Sequence, residues 1–313
     1  MRASNILTVV AAVLLAGAAL PAVAADLPQP APAAESAAPA ATDSSAGATP
    51  AAAPAGVPQN DNLNAVLWDQ TSVEFKANTL GAYALAKFRL DQALADKSWT
   101  ASEEQTGDFE TLPPAIILDV DDTVLNTSEY QAWTVVKGTS YSGKTWTDYV
   151  KDKKDVAIPG AVDFLKYADS KGVKVFYVTN RTTEEKPPTI EEMTEMGLPM
   201  GGNVDTFLAS KQQPDWGSAK GSRRAFIGKD YRILLLFGDN MGDFTDKYTG
   251  SVADRDKVFQ ADMAHWGHDW IALPNPTYGS FESAPYLSDY SKTPDQQRQL
   301  KLDALTPWAG PSQ

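Results

Sequence analysis

Three short runs of apolar residues recur along the chain: Ala115-Ile116-Ile117-Leu118, Val173 to Val178, and Ile233 to Phe237. None alternates strictly between apolar and polar positions. Runs of this length and character predict strands covered on both faces, as in a parallel sheet. Trp270 to Leu273 predicts a fourth strand. Between these runs the pattern turns helical. Pro159-Gly160 introduces a predicted helix over Ala161 to Ser170, and Ser218 to about Gly228 predicts another before the third strand. Upstream, Val73, Ala77, Leu80, Ala84 and Leu94 recur at helical spacing, so one helix with that apolar face is predicted from Asp61 to about Asp96. Asn60, Asp61 and Asn62 are candidate caps, and Gly81 weakens this helix without breaking it. Strand, helix and strand in repetition predict an α/β fold with helices on both faces of a central parallel sheet.

The first 58 residues have a different pattern. Arg2 precedes an apolar stretch from Ile6 to Leu20, and Ala22-Val23-Ala24 supplies small residues. Residues 1–24 are therefore read as a signal peptide, cleaved after Ala24 or Ala25, which predicts an exported, periplasmic or secreted protein. The rival reading is an uncleaved membrane anchor, since the apolar run approaches spanning length. Residues 25–58 are Ala, Pro, Ser and Gly almost throughout, too little apolar surface to offset ordering entropy, and are read as a linker. The folded domain is expected over residues 59–308, with no stable membrane insertion after cleavage.

Composition narrows the chemistry. A net charge of −13 opposes binding to a nucleic-acid polymer. The absence of cysteine removes disulfides, thiolate catalysis, zinc–thiolate sites and lipidation at a lipobox. The only two histidines, His265 and His268, are too few for a multi-imidazole metal centre, and no phosphohistidine motif surrounds them. They are read as loop or packing residues. Any phosphate chemistry must then come from carboxylates and a hard cation.

Those carboxylates stand directly after the strands. Asp119-Val120-Asp121-Asp122-Thr123 succeeds the first, Thr179-Asn180-Arg181 the second, and Gly238-Asp239-Asn240-Met241-Gly242-Asp243 the third. Open parallel sheets bind ligands beyond the carboxyl ends of their strands, so these segments converge. A calcium loop does not explain the first, because an EF-hand would need Gly where Val124 stands and Glu where Tyr130 stands. Helix capping accounts for one aspartate, not three. Carboxylates gathered at one point repel unless a proton or a divalent cation compensates them, and Mg²⁺ is the first candidate among hard cations.

These motifs, in this order and with a downstream lysine, resemble the haloacid-dehalogenase (HAD) superfamily. The match is to its class C, subfamily IIIB or "DDDD" acid phosphatases, which include bacterial lipoprotein nucleotidases. Trp68 to Glu74, Ile158-Pro159-Gly160-Ala161, Val175 to Arg181 and Leu273 to Ser280 are also similar to that branch. The resemblance implies a Rossmann-like core with a small, mostly helical cap and a small-molecule phosphomonoester substrate, with nucleoside 5′-monophosphates as one option. It implies that Asp119 is the nucleophile and Asp121 the general acid. It further implies Mg²⁺ held by Asp119, the Asp121 backbone carbonyl, Asp239 and Asp243, and phosphate held by Thr179, Asn180 and Lys220. Lys211 is the alternative lysine. Thr123 is expected to hold the loop and the Asp121 side chain. Tyr130, Trp146 and Tyr278 are the candidate substrate-stacking residues, while Trp133 and Phe281 lie nearby in sequence. Arg181, Arg223 and Arg224 remain open between ion pairing and phosphate binding, and Trp68, Ser72 and Glu74 are read as packing residues. A phosphotransferase using the same intermediate, a non-catalytic phosphate-binding or storage protein, and a phospho-accepting receiver domain are the alternatives.

Overall fold

The computed structural model describes residues 60–311. The expected signal peptide 1–24 and linker 25–58 lie outside the described residues. The N-terminal part comprises α1 (Leu63–Thr71), α2 (Val73–Ala95), β1 (Pro114–Leu118), β2 (Leu125–Asn126), α3 (Ser128–Lys137), α4 (Gly143–Asp152) and β3 (Val156–Ala157). Then come α5 (Ala161–Ser170), β4 (Lys174–Thr182), α6 (Lys186–Glu195), β5 (Phe207–Ser210), α7 (Gly221–Gly228) and β6 (Arg232–Gly238). The chain continues through α8 (Val252–Ala261), β7 (Trp270–Ala272), α9 (Ser280–Ser283) and α10 (Pro294–Asp303). No helix among the described residues is long and apolar enough to cross a membrane.

Five parallel strands form the central sheet in the order β5-β4-β1-β6-β7. The near-continuous apolar runs arise because both faces are covered. Ile116, Leu118, Val175 and Tyr177 point into a core shared with α2 and α5. Their neighbours Ala115, Ile117, Phe176 and Val178 point into the opposite core with Trp216, Ile227 and Trp270. Strand β6 departs from alternation at one residue. Ala115 pairs with Ile233 but Ile116 pairs with Leu235, so Leu234 is an extra residue, a bulge. The segment beside it absorbs the free carbonyls: Trp99 Nε1 donates to the Leu234 oxygen and the Ala101 amide to that of Ile233, both at 2.8 Å.

Two sequence expectations need correction. The single helix over 61–96 is two helices, broken at Ser72, whose backbone is extended and whose hydroxyl caps α2 by accepting from the Phe75 amide at 3.0 Å. The buried face of α2 is Phe75, Thr79, Tyr83, Ala86, Leu90 and Ala93, while Val73, Ala77, Leu80 and Ala84 face solvent. The aliphatic periodicity missed this because burying Phe75, Tyr83 and Leu90 removes more apolar area from water than burying the smaller set. Strand β5, Phe207–Ser210, escaped notice because only Phe207 and Leu208 are large apolar residues, followed by Ala209 and Ser210.

A two-stranded antiparallel ribbon, β2 with β3, closes the loop after β1 and carries α3 and α4 as a small helical cap. Below it, the Tyr83 ring stacks on Phe237 and packs against Phe164, and its hydroxyl donates to the Thr123 carbonyl at 2.6 Å. The core thereby grips the loop after β1. Tyr83→Phe keeps the ring but leaves a buried carbonyl without its donor, and should cost about 1–3 kcal/mol in urea denaturation; an unchanged midpoint would show that the loop is held without this bond.

Candidate active site

Strands β1 and β6 lie side by side, so their carboxyl ends deliver the two acidic segments to one place. The pairing continues one residue past β1, where the Asp119 amide donates to the Phe237 carbonyl at 3.0 Å. Gly238 then allows β6 to turn sharply. A Cβ there would lie 2.2–2.5 Å from the Asp243 side chain, so only glycine lets that carboxylate fold back over the strand end. Asp243 is fixed at both oxygens, by the Asn240 amide at 2.9 Å and by Lys220 Nζ at 2.6 Å.

Asp119, Asp239 and Asp243 each present a carboxylate oxygen within 4.8 Å of the others, a spacing able to hold one metal ion. Lys220 bridges Asp119 and Asp243 from the start of α7. Lys211 is exposed, in a left-handed turn, and makes no ion pair among the described residues. Asp239 accepts from Asn275 Nδ2 at 2.7 Å and from the Thr123 hydroxyl at 3.4 Å, but meets no cationic side chain among the described residues. Burial, followed by Asp243 and Asp119, pushes its proton affinity well above the ordinary carboxylate range. Asp119 is raised by burial, with Lys220 opposing the shift. Three carboxylates against one ammonium leave two negative charges without a partner. That imbalance and the all-oxygen donor set fit a hard divalent cation.

Asp121 points elsewhere. Its Oδ1 accepts from Arg181 Nε at 2.9 Å and Nη2 at 2.7 Å. Burial pushes its carboxyl up to about 6 despite the neighbouring guanidinium. Thr123 therefore does not hold the Asp121 side chain as expected; its hydroxyl lies beside Asp239 instead, because Arg181 already fills the Asp121 position. Asp122 adopts a left-handed φ of 52° and is anchored there by the Thr127 amide and hydroxyl at 3.0 and 2.6 Å and by the Tyr278 hydroxyl at 2.7 Å.

Strand β4 brings Thr179 and Asn180 to the same edge. The Thr179 hydroxyl accepts from the Arg181 amide at 3.0 Å, which leaves its own proton free to donate. Asn180 Oδ1 accepts from Arg223 Nη2 at 2.9 Å, leaving its NH₂ free. All three arginines are structural ties. Arg223 also binds the Thr179 carbonyl, and Arg224 joins Glu104, Asp246 and the Asp243 carbonyl.

Tyr130 and Trp146 meet in the cap, packed with Trp133, Tyr141 and Tyr149. Tyr130 is only 2% exposed. Its ring faces serve the cap's own packing, so it is a packing residue rather than a stacking surface. Trp146 is half-buried and lies 5.5 Å from the Arg181 guanidinium. Tyr278 is tied to Asp122 rather than grouped with them. Phe281 is largely exposed. His265 and His268 stack on Trp270 and Trp99, the packing role expected of them.

Comparison with known proteins agrees with this arrangement. A family model for the HAD superfamily, subfamily IIIB (acid phosphatase), matches residues 35–281. The chain belongs to this family. The class C acid phosphatase of Bacillus anthracis is 35% identical over 79% of this chain and 97% of its own, with a TM-score of 0.69. A second structure of that enzyme, with tungstate bound, matches at the same identity and coverage with a TM-score of 0.70. The protein is thus a phosphomonoester hydrolase of the acid phosphatase class.

In this acid phosphatase, sequence reasoning passed over Asp69, Tyr149, Asp155 and Asn275. Asn275 lay within a segment quoted for its likeness to the family, whereas Asp155 and Tyr149 sit in the cap without a motif. Asp69 is buried on α1 with one oxygen lacking any partner among the described residues, and burial raises its carboxyl to about 7, with Asp122 adding to the shift. The folded state therefore retains a proton that the unfolded chain releases near 3.8, so Asp69 costs stability as pH rises from about 4 to about 7. Asp69→Asn should raise the unfolding midpoint at pH 7.5 and leave it unchanged at pH 3.5. An equal gain at both values would exclude a buried charge as the cause.

Proposed function

We propose that this acid phosphatase is exported and Mg²⁺-dependent, and that it hydrolyses small phosphomonoesters through an aspartyl-phosphate on Asp119. The observation that carries the reading is the Lys220 ammonium set between Asp119 and Asp243, with Asp239 alongside. The proposed enzyme comprises residues 59–308, preceded by a 1–24 signal peptide and a 25–58 linker.

Asp119, Asp239, Asp243 and the Asp121 backbone carbonyl are assigned to the cation, which when bound supplies charge neutralisation between phosphate and carboxylate. Thr179, Asn180 and Lys220 are assigned to the phosphoryl oxygens. A tetrahedral oxyanion, tungstate, occurs in the Bacillus anthracis relative, in keeping with an anion site in this family. Asp119 attacks phosphorus as the ester P–O bond breaks, and the leaving oxygen takes a proton from Asp121. Asp121, deprotonated by that step, then draws a proton from water as the water displaces Asp119 from phosphorus. Lys220 offsets charge on both the nucleophile and the phosphoryl oxygens. Trp146 and Tyr278 are assigned to the leaving group. A flat base stacked on one of them gains about 1–3 kcal/mol, which would favour nucleoside 5′-monophosphates.

Hydrolysis of p-nitrophenyl phosphate tests the reading. Turnover should require Mg²⁺, vanish with EDTA and be abolished in Asp119→Asn, whose near-isosteric side chain keeps the fold. EDTA-resistant turnover would remove the metal, and an active Asp119→Asn would remove the covalent step. Lys220→Ala should lower kcat/KM by about 10²-fold or more, the scale of losing one preorganised charge partner of the transition state. Unchanged turnover would transfer that role elsewhere.

A further inference from the structure

The Asp121 carboxylate is held from a distance. Arg181, 1% exposed, commits Nε and Nη2 to Asp121 Oδ1 and Nη1 to the Thr189 hydroxyl at 2.9 Å. Nη2 also reaches Asp155 Oδ2 at 2.6 Å, and Asp155 is itself buried. Asp155 lies between α4 and β3, at the base of the cap. Its second oxygen accepts from the Tyr149 hydroxyl at 2.6 Å, and its backbone amide donates to Glu192 Oε1 at 2.9 Å. An unbroken chain therefore runs from the cap, Tyr149–Asp155–Arg181–Asp121, into the site.

We infer that Asp155 is a positioning residue for proton delivery: through Arg181 it fixes which oxygen of Asp121 faces the leaving group. Both guanidinium donors fall on Oδ1, and no side chain among the described residues bonds to Oδ2. A carboxylate gripped at one oxygen by a planar fork cannot rotate without breaking two charge-assisted bonds. Oδ2 is then the oxygen that carries the proton to the ester oxygen as the P–O bond breaks. Besides Asp121, two hydrogen-bonding anchors hold the fork in its plane, Thr189 and Asp155, and Asp155 is the one at the base of the cap. Tyr149 belongs to the aromatic group that includes Trp146, and Trp146 lies against the same guanidinium. A leaving group seated on the cap therefore presses on the element that aims the acid.

The inference rests on the general-acid role of Asp121, and leaving-group dependence tests the two separately. Good leaving groups such as p-nitrophenolate need little protonation, whereas alkoxides need it fully, and general acids contribute about 10²–10⁴-fold. Asp155→Asn should lower kcat/KM for an alkyl phosphate at least about tenfold more than for p-nitrophenyl phosphate, a part of that range. Tyr149→Phe, which removes only one hydroxyl, should move the ratio in the same direction by a smaller amount. Asp121→Asn is the reference. If it reduces both substrates equally, the general-acid assignment fails. If Asp121→Asn is selective while Asp155→Asn and Tyr149→Phe reduce both substrates equally, the positioning role is overturned and the acid assignment stands. Should Asp155→Asn not fold, Tyr149→Phe decides alone.

Discussion

The site is built around an uncompensated electrostatic imbalance at the carboxyl ends of β1 and β6. Asp119, Asp239 and Asp243 share a space small enough for one ion, and Lys220 is the one side-chain cation that touches them among the described residues. Gathering carboxylates out of water raises their proton affinity steeply, as the shifts at Asp119 and Asp239 show. Such a cluster persists only where the backbone leaves it no alternative. Asp119 is fixed by strand pairing with β6, Asp243 by the turn that Gly238 permits, and Asp239 by Asn275. The fold supplies the constraint, and a divalent cation seated among the three carboxylates would relieve it.

Buried cations divide the work. Lys220 presents a compact ammonium to two oxygens and is held above its usual range by Asp119 and Asp243, although burial opposes its charge. A point charge of this kind can track an anion as the anion moves. Arg181, Arg223 and Arg224 instead use planar forks, each with several fixed partners. A planar guanidinium with five donors suits fixed, multi-partner ties of this kind. Arg223 ties Thr179 and Asn180 to the loop ahead of α7, and Arg224 ties α7 to the Asp243 turn. The three phosphate-binding candidates are thereby locked to one another through a residue that need not touch phosphate.

Legibility in the sequence depended on the range of the interactions. Continuous apolar runs marked β1, β4 and β6 because a strand covered on both faces leaves no polar position, and the segments after them were short enough to read as motifs. Lys220 came from the family resemblance, and the structure sets its ammonium between Asp119 and Asp243. The face of α2 was not legible, because aliphatic periodicity carried no weight for Tyr83, whose ring and hydroxyl are both committed to the core. Tyr130 was misread for a related reason: an aromatic near a motif is equally suited to packing a small cap, and only burial distinguishes the two. Asp155 had no sequence signal at all. Its partners are 26 and 6 residues away, and nothing in its flanks marks it as different from a surface aspartate.

The two aspartates two residues apart on one loop end in different surroundings, and the base of the cap supplies part of that difference. Asp119 faces the metal-spaced cluster and Lys220; Asp121 faces Arg181, whose charge is already shared with Asp155. An arginine paired with Asp121 alone would hold it firmly as a carboxylate, the wrong form for the proposed proton donor. A second buried carboxylate on the same guanidinium weakens that hold without adding net positive charge to the site. The cap supplies this carboxylate, and its ribbon, β2 with β3, starts three residues after Asp122. Through Asp155 and Arg181 the base of the cap is therefore part of the surroundings of Asp121.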